Sequence, residues 1–247
     1  MKKYRTMKNL LFVLISLAVL AGCDEDPPDV KKDAPAIEIN IQHLWNGDAF
    51  TLNNWYTTVQ TDSFKPTTLN YHINDIFLVE ADGSETQVTT WELVNYEQDG
   101  NKKLTLSGVE GKTFTKLKFT LGVEDSLVNV NGELNDDFTD PMYWGMAMGY
   151  INLKLEGKRM KDSVESGVYF HIGGYAGADQ TARNIELDLT SDVSMVLGKN
   201  IATLNVDIED FFHSPNPISL DALNDVQVTG SDAVMIAQNW DSMFSME

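Results

Sequence analysis

From Ala36 onward the chain alternates. Ile37, Ile39 and Ile41 are separated by Glu38, Asn40 and Gln42, the period-two pattern of a strand with one buried face. The same alternation carries His43 onto the isoleucine face at the strand's end. A second strand is expected from Leu69 to Val79, running into the turn Ala81-Asp82-Gly83-Ser84. It sets His72 opposite Tyr71, Ile73 and Phe77, which predicts a surface or edge position for that imidazole. Further strands are expected over 87–94, 103–106, 114–123, 149–155, 168–172, 184–189 and 201–208. In three of them the inward parity is apolar throughout: Leu117, Phe119, Leu121 and Val123; Ile185, Leu187 and Leu189; Leu204, Val206 and Ile208. Strands of this length, divided by Gly, Asn, Asp and Pro turns, predict a mainly β chain folded as an antiparallel β-sandwich with long loops. The main helical pattern is short and C-terminal, from Ser231 to Phe244, with Ser231 or Asp232 as cap and Val234, Ala237, Trp240 and Phe244 at helical spacing.

Ahead of the alternation the pattern is different. Lys2, Lys3, Arg5 and Lys8 precede an apolar run, Leu10 to Leu20, broken only by Ser16 and followed by Leu20-Ala-Gly-Cys23. That run is too short for a stable membrane anchor and has the layout of a secretory signal over residues 1–22. Small residues ending in a cysteine resemble a lipobox, which makes Cys23 the lipidated first residue of the mature chain. Cys23 is the sole cysteine in the sequence, which leaves neither a disulfide nor a thiolate metal site. Residues 23–34, acidic and proline-bearing, read as a disordered tether. Acidic residues directly after the lipidated cysteine also resemble surface-export signals of some Gram-negative lipoproteins, so the expected location is the outer membrane, lipid-anchored, on its periplasmic or outward face. Residues 35–247, without repeat or second linker, form one expected domain.

Composition narrows the function. The 247 residues are 43% hydrophobic and 10% aromatic, enough for one sizeable core. The net charge is −19; the leader removes four of 18 basic residues and none of 37 acidic ones, leaving −23. Such a surface does not bind nucleic acid or an anionic membrane through charge, so membrane attachment falls to the lipid. No phosphate loop, G-x-S-x-G elbow, His-Glu-x-x-His or cysteine cluster is present. The expectation is a protein without catalytic residues. Asn129-Val-Asn-Gly132 with Asp136 and Asp137 could offer oxygens to calcium, but the spacing does not match an EF-hand loop and the expected reading is a solvated turn.

Softer donors stand out. Asp140-Pro-Met-Tyr-Trp-Gly-Met-Ala-Met-Gly-Tyr150 places Trp144 among Met142, Met146 and Met148, and the chain continues to Glu156-Gly157. A greasy turn and one wall of a site for an easily oxidised metal such as copper are both consistent with that composition. Val168-Tyr-Phe-His-Ile-Gly-Gly174 sets His171 inside an apolar strand before two glycines, where structural and ligand roles are both open. A copper centre needs imidazoles plus softer donors, and His43, His171 and the Trp144/methionine cluster can supply them.

Several segments, in order, resemble the MbnP-like family: Leu69-Asn-Tyr-His-Ile-Asn-Asp-Ile, Leu121-Gly-Val-Glu-Asp, Asp140-Pro-Met-Tyr-Trp, Gly149-Tyr150, Lys154-Leu-Glu-Gly157, Phe170-His-Ile-Gly-Gly174 and Ile236-Ala-Gln-Asn-Trp-Asp-Ser-Met-Phe244. The resemblance spans roughly residues 35–247. It implies a β-rich, periplasmic or outer-membrane copper-binding protein whose site combines histidines with a tryptophan oxidised to kynurenine. It also implies a partner, a dihaem peroxidase of the MauG-like type, that makes the modification. Carried over residue by residue, His171 matches the family's Phe/Tyr-His-x-Gly, His43 a histidine near the end of the first strand, and Trp144 the first tryptophan of a Trp-x-Trp pattern. Met146 stands where the second tryptophan is expected, so a thioether replaces an indole there.

The reading is therefore a non-catalytic copper-capture or storage lipoprotein, with a pocket formed by His43, His171, Trp144 and Met146 and shielded by Tyr143, Tyr150 and Phe170. The competing reading is a metal-free surface lipoprotein that displays Trp45, Trp55 and Trp91 on loops to bind glycan or another envelope protein.

Overall fold

The computed structural model describes residues 36–107, 109, 112–124, 140–145, 148–194 and 199–247. The signal, Cys23, the tether, the candidate calcium loop at 129–137 and Met146 lie outside them. In chain order the strands are β1 (Ala36–Trp45), β2 (Asp48–Ala49), β3 (Tyr56–Thr57), β4 (Ser63–Glu80), β5 (Glu85–Asn95), β6 (Lys103–Ser107) and β7 (Thr113–Leu121). They continue with β8 (Tyr143–Gly145), β9 (Gly149–Lys161), β10 (Val164–Gly173), β11 (Arg183–Ser194), β12 (Lys199–Asp207), β13 (Asp225–Val226) and β14 (Phe244–Met246). One helical turn, α1 (Tyr96–Asp99), follows β5, and α2 (Ser231–Ala237) lies near the C-terminus.

Two sheets face each other. The smaller runs β14-β12-β1-β2, with β6 beside β1 as well; the larger runs β11-β7-β4-β9-β10-β13, with β3 and β5 on β4 and β8 on β9. The expected β-sandwich is what the chain forms, with two departures from antiparallel pairing: β1 with β12, and β10 with β13. Parallel neighbours need a long connection, and strands β2 to β11 all lie between β1 and β12. Inward side chains follow the predicted parity. Ile37, Ile39 and Ile41 of β1 meet Tyr71, Leu153, Leu155, Phe170 and Ile172 of the large sheet in one buried cluster. Phe170 packs on Phe211 at 5.2 Å and Tyr71 edges onto Phe244 at 6.3 Å between ring centroids. Each fully buried ring of this kind contributes roughly 1.5–3 kcal/mol.

The C-terminal helix is shorter than its pattern. The α-helix stops at Ala237, a 3-10 stretch covers Gln238–Ser242, and Phe244 opens β14 opposite Val206 of β12. Neither predicted cap acts: the N-cap position is Gly230, with no side-chain bond. Tertiary demands override the periodicity. The buried Asn239 amide donates to the carbonyls of Phe211 and Asn216, and a ladder to β12 satisfies Phe244 better than another helical turn.

β4 is the spine of the large sheet. On one edge it pairs with β9 up to Tyr71, opposite Leu153, and with β7 from Ile73, opposite Leu121. His72 occupies the changeover. Its carbonyl accepts from Gly122 N at 2.9 Å, and the Asn74 amide donates to the Gly122 carbonyl. Gly122 has φ +98°, and a Cβ there would sit 2.7 Å from the Asn152 side chain, so glycine is needed twice over.

Candidate metal centre on the outer face of the large sheet

His171 sits on β10 between Phe170 and Ile172, which both point into the core, so it points out of the sandwich. Lys154 and Glu156 of the neighbouring β9 flank the inward Leu155 and share that outer face. The His171 Nε2 lies 2.6 Å from Glu156 Oε1, and Lys154 Nζ stands 3.3 Å from the same oxygen. Partial burial pushes the Glu156 carboxyl up, but the His171 bond and the Lys154 charge outweigh it and hold it below its ordinary value. A carboxylate only accepts, so Nε2 carries the proton, and in the neutral ring Nδ1 is the nitrogen with a lone pair. Trp144, half-buried on β8, presents its ring to His171 edge-on at 6.2 Å.

β8 is held there by a hairpin. Tyr143 pairs with Tyr150 and Gly145 with Gly149 of β9. Gly145 and Gly149 have φ of +104° and +69°, a backbone that a side chain would strain. Just before β8, Asp140-Pro141-Met142-Tyr143 makes a turn, with Tyr143 N donating to the Asp140 carbonyl at 3.1 Å. Met142 N donates to Asp140 Oδ1 at 2.7 Å, and Ile151 N donates to the Met142 carbonyl at 2.9 Å. Residues 140–145 thus form a strap across the outer face.

The other end of that strap covers a histidine that the pattern predicts to be exposed. His72 is fully buried. Its parity is as expected, opposite Tyr71 and Ile73, but Asp140 Oδ2 lies 3.0 Å from its Nε2 and the Ile151 carbonyl 3.1 Å from its Nδ1. Trp91 of β5 lies against its ring at 4.5 Å and Tyr150 meets it edge-on at 5.9 Å. A small second cluster of Val123 and Tyr150, with Trp91, Tyr143 and Tyr175 against it, fills this side of the sheet. Strand periodicity reports which face a residue takes and not what later covers that face.

His43 goes elsewhere. It lies on the isoleucine face, as predicted, and so between the sheets, with Nε2 2.8 Å from the Tyr71 hydroxyl and Nδ1 3.3 Å from Asn101 Oδ1. Burial pulls it down to a pKa of about 4, against a smaller upward pull from the Asn101 bond. His43 and His171 stand on opposite sides of the nine-stranded sheet, so the fold does not bring these two imidazoles together. Phe170 is likewise an inward core residue and does not shield the outer site. Of the three tryptophans expected on loops, Trp45 is buried and stacked on Tyr56, Trp91 packs on His72, and Trp55 is exposed with Lys65 Nζ 4.6 Å above its ring. Among the described residues no three His, Cys, Asp or Glu side chains converge on one point. The outer face therefore joins His171, Glu156 and Trp144, and leaves His43 out.

A family model described as MbnP matches residues 34–234. Among solved structures the chain is similar to MbnP from Methylosinus trichosporium, with a TM-score of 0.56 over 85% of this chain and 97% of that one, at 12% identity. That likeness is one of fold. No curated protein matches. A family match over most of the length, on a fold of the same kind, establishes that this chain belongs to the MbnP family.

Proposed function

We propose that this protein is a copper-binding cell-envelope lipoprotein that captures or stores the ion and catalyses nothing. The observation that carries the reading is the pairing of Trp144 with His171, beside a carboxylate that orients the imidazole. An imidazole whose far nitrogen donates to a carboxylate is fixed in tautomer and made a better donor, the arrangement typical of ligating histidines. In the neutral ring Nδ1 then holds the lone pair, and Trp144 or its oxidised form is the second candidate donor. Met146, two residues on, remains a thioether donor proposed from the sequence alone. Few donors, one of them soft, fit Cu(I) better than a harder, higher-coordinate cation. His43 does not fit, because its nitrogens already face Tyr71 and Asn101 inside the core.

Around that site the reading places a lipid on Cys23, attachment to the outer membrane, and a dihaem MauG-like peroxidase that converts Trp144 to kynurenine. The test is metal analysis of protein taken from its native envelope, with intact mass read for replacement of an indole ring carbon by oxygen. One copper per chain is expected, lost in His171→Ala and in Trp144→Phe while both variants keep the wild-type circular dichroism. Unchanged copper in His171→Ala sinks the assignment.

The metal-free surface-binding reading retains one local feature. A groove of about 260 Å³ runs beside Glu156, lined by Lys158, Glu165, Gly167 and the exposed Tyr169. An aromatic face among charged groups suits a sugar ring, and glycan-array binding that survives metal chelation would favour it.

A further inference from the structure

We propose that His72 and Asp140 are a positioning pair: a buried imidazole–carboxyl hydrogen bond that latches the strap carrying Trp144 over His171. The inference rests on the copper reading for its consequence but on separate geometry for its substance. Both ring nitrogens of His72 face acceptors, the Ile151 carbonyl at Nδ1 and Asp140 Oδ2 at Nε2. The Nδ1–H donates to the Ile151 carbonyl, and one proton between Nε2 and Oδ2, on whichever of the two it rests, makes the second hydrogen bond. Asp140 uses both oxygens, Oδ2 towards the ring and Oδ1 as the acceptor of Met142 N–H. The pair is shut away from water, with side-chain exposures of 0% for His72 and 4% for Asp140. Removing one member of such a pair leaves the other a buried polar group without its partner. Three residues separate Asp140 from Trp144, in a turn that Asp140 itself closes. Fixing Asp140 therefore fixes where the indole stands relative to His171. Neither member touches His171, so their effect on the ion is indirect.

The experiment uses the full chain labelled with 5-fluorotryptophan and read by fluorine NMR without metal. The Trp144 resonance is assigned from its absence in Trp144→Phe, and that of the core residue Trp240 serves as a folding control. Asp140→Ala is expected to move the Trp144 resonance towards that of the free amino acid, to leave Trp240 in place, and to weaken copper binding by about tenfold or more. Asp140→Asn is expected to restore both, because its amide oxygen still takes Met142 N–H and its amide nitrogen donates to a neutral His72. A Trp144 resonance unmoved in Asp140→Ala overturns the latch. So does collapse of the Trp240 resonance in both variants, since the pair would then be holding the whole fold. If Trp144 moves in Asp140→Ala but the wild type takes up no copper, the latch stands and the copper reading falls. If Trp144 stays and copper binds unchanged, the latch alone falls.

Discussion

The two faces of the large sheet treat the same side chain in opposite ways. On the inner face His43 is enclosed, with Tyr71 at one nitrogen, Asn101 at the other and its pKa lowered to about 4. On the outer face His171 gives one nitrogen to Glu156 and stands edge-on to an indole. An imidazole closed on both sides serves architecture, whereas orientation by a carboxylate at one nitrogen is a feature that ligating histidines commonly share. The contrast repeats within two adjacent residues of β10, Phe170 facing in and His171 facing out.

That contrast can be broken from either side. Phe170→Ala should have the largest effect, a loss of about 3–5 kcal/mol in urea unfolding, because a fully buried ring leaves a cavity among Phe211 and Phe212. A loss under about 1 kcal/mol would mean that this face is not the core. Acid comes next. His43 is held neutral in the fold, so the unfolded chain binds its proton first and the stabilisation present above pH 6.5 is lost as pH falls towards 4. Between pH 6.5 and 5 this amounts to about 2 kcal/mol, and a His43→Gln variant should lose correspondingly less over that interval. A third test belongs to the outer face: Glu156→Gln should weaken copper binding about 10–100-fold with the unfolding midpoint nearly unchanged. Equal affinity in that variant would deny the carboxylate its orienting role. Smallest of all, Trp55→Ala should shift stability by no more than about 0.5 kcal/mol and leave copper uptake intact, since its ring is exposed.

Much of the sandwich was legible because alternation is a local property. Ile37, Ile39 and Ile41, and the apolar parities of β7, β11 and β12, announce both strand and inner face. The same parity carries one constraint more. Phe170 and Ile172 flank His171, so His171 faces away from any core that His43 faces into, and the two could not share an ion. The burial of His72 was hidden for another reason. Its cover is brought by Asp140 and Trp91, remote in sequence, and no periodicity on β4 encodes their arrival. The C-terminal helix misled because Trp240 and Phe244 obey helical spacing while Phe244 in fact joins a strand.

The changeover on β4 has one further consequence. Where one strand serves two partners laid end to end, the sheet acquires a seam. β8, β9 and β10 lie on one side of it, tied to one another by their ladders. Trp144, Glu156 and His171 all stand on those three strands, so no distance among them spans the seam. The candidate site is built on one bank of the joint, and His72, bonded to Gly122 N across it and to the Ile151 carbonyl on the near side, is the rivet.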